Sequence, residues 1–157
     1  MNRNIIQLAG TGHRIEISIV RKEFYRAGTF QRQVLNFTRA LMSQMSQTAL
    51  CNRLHSAEKR LAKWLVSCHD RSTSDVLDLT QEFVALMLGS NRVTLTTAAG
   101  QLQDGGAIKY KRGQITVIDR DILESLSCTC YSRIKSSYDA VALDPEIAWL
   151  QDSITDA

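Results

Sequence analysis

Between residues 90 and 97 the chain places Ser90, Asn91, Arg92, Thr94 and Thr97, a carboxamide, a guanidinium and three hydroxyls in one short stretch. What such groups do well is hydrogen-bond with fixed geometry. An arginine fork matches two acceptors of guanine, asparagine matches adenine, and a threonine methyl can touch the methyl of thymine. Further along, Lys109, Lys111 and Arg112 gather cations that would grip phosphates without reading sequence, and Gln81 and Arg71 are further candidates for that role. Cys128-Thr-Cys130 offers a different chemistry, because two thiolates bind soft ions, and Cys68-His69 adds possible ligands elsewhere. The spacing is CxC and not paired CxxC, so free thiols are the expectation and no metal ligands are assigned.

Catalytic patterns are missing from the sequence. It has no Walker loop, no GxGxxG after a strand, no HExxH and no Gly-x-Ser-x-Gly, and its three histidines are scattered. Cys51 with His55 could form a thiol site only if both faced one cleft, whereas the helical pattern puts His55 on a seam. No catalytic residue is assigned, and the chain reads as a non-enzyme.

The readers need a scaffold, and the flanking residues describe one. Thr80 can cap a helix by accepting an amide near Glu82 or Phe83, and Phe83, Val84 and Leu86 to Leu88 follow before Gly89 breaks the run. A second helical pattern follows, with Val93, Leu95, Ala98, Ala99 and Leu102 spaced to bury one side, and it ends at Gly105-Gly106. Two short helices joined by a glycine turn make a helix-turn-helix, whose second helix, residues 90–103, would lie in a DNA major groove. Residues 107–119 read as strand, turn and strand, a wing with its cations at the tip.

Upstream, Phe30 to Arg53 is a long helix free of glycine and proline. Val34, Thr38, Leu41, Met45, Thr48 and Asn52 follow alternating steps of four and three, the seam of a left-handed coiled coil, and Leu35, Met42 and Ala49 widen it. The seam suits pairing with a second copy or packing inside one chain. Ser56 can cap a further helix with Leu61, Trp64 and Leu65 inward and Lys59, Arg60 and Lys63 outward, followed by a linker to a short strand at Val76-Leu77. Near the N-terminus Ile15, Ile17 and Ile19 alternate as in a half-buried strand.

Charge is unevenly spread. Residues 1–50 hold seven Lys/Arg against two Asp/Glu, residues 51–135 twelve against nine, and residues 136–157 none against five, so a basic body ends in an acidic tail. In that tail Pro145 can start a short helix at Glu146. With 157 residues, 44% of them hydrophobic, there is enough for a packed core of modest size. No apolar run suits a membrane span or a secretory signal, so a cytoplasmic location without membrane contact is expected. Four cysteines do not have the density of a disulfide framework.

Cys51-Asn-Arg-Leu-His, Leu79-Thr-Gln-Glu, Met87-Leu-Gly, Val93-Thr, Ala98-Ala-Gly-Gln-Leu-Gln and Tyr110-Lys-Arg-Gly-Gln-Ile-Thr-Val-Ile-Asp-Arg together resemble the C-terminal half of the Crp/Fnr transcription regulators, over roughly residues 5 to 138. The resemblance implies, in order, the closing strands of a sensor barrel with their connector (1–29), a dimerisation helix (30–55), a winged helix-turn-helix domain (56–135) and a tail outside the family pattern (136–157). Most of the sensor barrel would be missing, so a truncated regulator is expected. No cofactor is expected either, because the segment that would hold a cyclic nucleotide is not in this chain.

Arg92 matches an arginine that contacts DNA in relatives. Val93 and Thr97 stand where many members carry a glutamate and a second arginine, which implies a different operator. The expectation is an α+β chain, a long dimerisation helix followed by a winged helix-turn-helix, acting as a homodimer on double-stranded DNA to regulate transcription. RNA polymerase is a further partner that the resemblance admits. Two alternatives stay open: a dimerisation partner that titrates full-length relatives, and a thiol-based metal or redox sensor.

Overall fold

The computed structural model describes residues 6–7, 10–111 and 113–142. They divide into two compact units, one containing residues 50–131 and the other residues 11–49 and 132–142.

The first unit is built on α3 (Ala57–His69), which Ser56 starts by accepting the Lys59 amide at 3.4 Å. Leu61, Ala62, Leu65 and Val66 on one side of α3 are fully buried. They pack with Leu77 of β1 (Val76–Leu77), Val84 of α4 (Gln81–Leu88), Leu95 and Leu102 of α5 (Arg92–Asp104), Ile108 of β2 (Ile108–Lys111), Ile115 of β3 (Gln114–Val117) and Leu123 of α6 (Arg120–Ser125) in one core. The three strands form an antiparallel sheet in the order β1-β3-β2. Leu77 pairs with Ile115 and Ile108 with Val117, so inward residues align across all three strands. Gly113, at φ +83, supplies the left-handed backbone at the hairpin tip.

Two charged residues of α3 depart from the outward face that their spacing predicts. Lys63 is buried, 7% exposed. Arg60 is half-buried and bonded to the turn between α4 and α5. A polar network fixes the far end of α3: Arg120 donates to Asp70 (2.8 Å), Glu124 (2.7 Å) and the Tyr131 hydroxyl (2.9 Å), and that hydroxyl donates to Asp70 (2.7 Å). Burial and the adjoining Asp70 carboxylate push the Tyr131 phenol well above its ordinary range, so it remains a donor.

The second unit contains α1 (Ile17–Tyr25), most of α2 (Thr29–Leu54) and most of α7 (Cys130–Ala142). The alternation at Ile15, Ile17 and Ile19 does not make a strand, because Ile17 opens α1 and residues 10–29 contain no strand. A strand needs a neighbour for its backbone groups, whereas a helix satisfies its own, and Ile17, Val20 and Phe24 fit helical spacing equally well. No residue of α1 is buried. α7 lies along one side of α2, where Tyr138 donates to Gln44 (2.6 Å) and meets Phe37 edge-on at 5.9 Å, and Ser137 bonds Ser43 at 3.2 Å. Ala40 is buried there. The seam residues face elsewhere: Val34, Thr38, Leu41, Met45 and Asn52 are exposed and Thr48 is half-buried. The short helix expected after Pro145 lies outside the described residues.

Candidate nucleic-acid interface

Thr80 begins α4 by accepting the Phe83 amide at 3.2 Å. Gly89 ends the helix at φ +57, with the Ser90 amide donating back to Ala85 and the Gly89 amide to Leu86, a Schellman closure. Arg60 reaches across from α3 to take the next free carbonyl, Leu88, at 3.2 Å, and donates its other nitrogen to the Ser90 hydroxyl at 3.1 Å. The turn is thus held from inside its own backbone and from α3. Asn91 then starts α5, its side-chain oxygen accepting the Thr94 amide at 2.8 Å.

The buried side of α5 is Leu95, Ala98, Ala99 and Leu102. Arg92, Val93, Thr96 and Thr97 lie exposed on the other side, Val93 at 77%. The Arg92 guanidinium rests 2.9 Å from Glu82, both side chains largely in solvent, so the pair is worth at most about 1 kcal/mol and opens at little cost. The hydroxyls of Thr96 and Thr97 donate to the carbonyls four residues back, at 2.9 and 3.1 Å. Their methyl groups and lone pairs are what remain for a ligand.

Of the five residues expected to read bases, Arg92 and Thr97 thus share the open face with Val93. Thr94 is half-buried, Ser90 accepts from Arg60, and Asn91 uses in its cap the oxygen that pairing with adenine would need. Thr96, absent from the expected set, belongs to the open face.

In the wing, Ile108 and Tyr110 point toward the core, and Lys109 and Lys111 project from the opposite side of β2, both exposed. The Tyr110 amide donates to the Gln103 side chain at 3.0 Å and ties the wing to the last turn of α5. Gln81 is half-buried at the start of α4, and Arg71 donates to the Ser67 carbonyl at 2.6 Å, closing the end of α3. Arg112 lies outside the described residues.

Residues 59–126 match the model of the Crp-like helix-turn-helix domain, which takes in the core, the turn and the wing just described. Over those residues the chain carries a Crp-like helix-turn-helix domain. Among solved structures it is similar to FixK2 from Bradyrhizobium japonicum, at 19% identity and a TM-score of 0.64, covering 73% of this chain and 60% of that one. It is also similar to a transcriptional regulator of the Crp/Fnr family from Eubacterium rectale, at 28% identity and a TM-score of 0.50, covering 69% of this chain and 50% of that one. The chain therefore spans less than two thirds of either neighbour. Among curated proteins none matches it. No helix among the described residues is long and apolar enough to cross a membrane.

Away from α5, the same compact unit brings together Cys51 and His55, at and just past the end of α2, with Cys128 and Cys130, just before and at the start of α7. Cys68, the neighbour of His69, instead packs in the main core. Cys51 and His55 are four residues apart on one helix and so share a face, which with the CxC spacing was the signal available in the sequence.

Proposed function

We propose that the chain binds duplex DNA sequence-specifically as a homodimer and regulates transcription, with α5 in the major groove and the wing on the phosphate backbone. The observation that carries this reading is the open face of α5, where Arg92, Val93 and Thr97 stand clear of a packed Crp-like scaffold. Arg92 would leave Glu82 for a guanine, and Val93 with the threonine methyls would favour thymine. Lys109 and Lys111, with Arg112, would take phosphates. The exposed apolar row Val34, Leu41 and Met45 on α2 supports pairing through that helix, since a second copy would bury it.

The test is fluorescence-anisotropy binding to a randomised duplex pool at two salt concentrations. Enrichment of a two-fold-symmetric site is expected, with Arg92→Ala weakening binding about 5- to 150-fold per half-site, the equivalent of roughly 1–3 kcal/mol. Lys109→Ala should weaken all sequences alike and lower the salt dependence by about one phosphate contact. Because Asn91 and Ser90 are committed within the turn, a second reading has some support: a partner that pairs with longer relatives through α2 and reads DNA poorly. Salt-sensitive binding without enrichment would favour it.

A further inference from the structure

We propose that Cys51, His55, Cys128 and Cys130 form a structural site for one tetrahedral divalent cation of the zinc type. Their four ligand atoms lie within 4.8 Å of one another. The sulfurs of Cys51 and Cys128 are 3.5 Å apart, and the Cys130 sulfur is 3.7 Å from Nδ1 of His55. Around a zinc ion with Zn–S near 2.3 Å and Zn–N near 2.0 Å, tetrahedral geometry separates two sulfurs by about 3.8 Å and a sulfur and a nitrogen by about 3.6 Å. Two of the six edges already stand near those lengths, and none of the six exceeds 4.8 Å. A four-iron cluster is too large for this set, since its ligating sulfurs must surround a cube of iron and sulfide.

Burial alone does not make a metal site, because a free cysteine packs as a small hydrophobe, as Cys68 does in the main core. Two features separate this cluster from that case. An imidazole faces the sulfurs with its Nδ1, a group with no reason to join an apolar packing unit. The three cysteines also form a buried cluster of their own, apart from the aliphatic core, and Lys63 is buried near enough to oppose the rise in the Cys51 thiol.

Charge accounts for that lysine. One divalent ion displaces three thiol protons to solvent and takes the His55 lone pair, leaving a site of net charge −1 that the Lys63 ammonium offsets. The ion would join the end of α2 to the start of α7, tying two segments 77 residues apart, and so stabilise the Crp-like unit enclosed between them. The site stands independently of DNA reading.

The experiment is metal analysis of the full chain, purified without an affinity metal or chelator, followed by reconstitution with Co²⁺ alone. About one zinc per chain is expected, released by a mercurial, and cobalt should give the intense visible bands of a tetrahedral site with thiolate-to-metal charge transfer in the near ultraviolet. His55→Ala and Cys130→Ser should abolish the bands, while Cys68→Ala retains them. Circular dichroism separates lost ligation from lost folding, and the cobalt spectrum of the folded His55→Ala protein decides between them. Metal-free wild type that gives only weak octahedral cobalt bands, or a Cys51–Cys128 disulfide formed in place of metal uptake, would overturn the proposal.

Discussion

Arg60 joins α3 to the turn between α4 and α5, and replacing it with alanine isolates that role. The guanidinium makes two hydrogen bonds, 3.2 Å to the Leu88 carbonyl and 3.1 Å to the Ser90 hydroxyl. Hydrogen bonds from a charged donor contribute roughly 1.5–3 kcal/mol each, but this group is half-buried and its Nε is buried without a partner, so part of its desolvation is not recovered. A net loss of about 2 kcal/mol for Arg60→Ala is therefore expected, on the order of 10 °C in Tm for a unit of this size. Ser90→Ala removes one of the two bonds and should cost about half as much, with the double variant less destabilised than the sum by about 1 kcal/mol. Thermal melts by circular dichroism measure all three. DNA affinity measured well below the melts should fall further than Arg60→Lys makes it fall, because lysine keeps the charge but cannot span both acceptors. If Arg60→Ala melts within about 2 °C of wild type, or its cost adds to that of Ser90→Ala without coupling, the clamp is not what holds the turn.

Two further outcomes follow from single positions. Gly89 sits at φ +57 with open space around the position of a Cβ, so Gly89→Ala should cost about 1 kcal/mol through backbone strain alone, read as a lower urea midpoint with unchanged slope. Burial pushes the Cys68 thiol from 9.0 up to about 11, so the folded chain keeps a proton that the unfolded chain loses. Its contribution is complete below pH 9 and is lost as pH rises toward 11, by up to about 3 kcal/mol, and Cys68→Ala should lose less stability than wild type across that window. Parallel urea-stability curves for the two proteins would refute the assignment.

The helix-turn-helix was legible in the sequence because its signals are local. Thr80, Gly89, the spacing of Leu95, Ala98, Ala99 and Leu102, and Gly113 each act within a few residues, and the secondary structure follows them. What a residue does across elements was not legible. Lys63 and Arg60 read as solvent-facing on α3 because periodicity describes one helix and not what packs against it. The run at Ile15, Ile17 and Ile19 suited a strand and a helix alike, and the lack of a neighbouring strand decided between them. Asn91 and Ser90 have the chemistry of base readers, yet the turn they build draws on the same atoms. Cys51 and His55 share a helical face by spacing, but Cys128 and Cys130 join them only through folding.

The bond from the Tyr110 amide to the Gln103 side chain bridges the turn at Gly105 and Gly106. It makes the last turn of α5 and the first strand of the wing a single gauge, with Arg92 at one end and Lys109 and Lys111 at the other. A residue inserted at Gly105 or Gly106 would break that bond and let the two ends drift apart in step with the added length. If α5 and the wing contact DNA as proposed, operator preference in such insertions would change at the flanking backbone positions first, with the bases facing Arg92 unchanged.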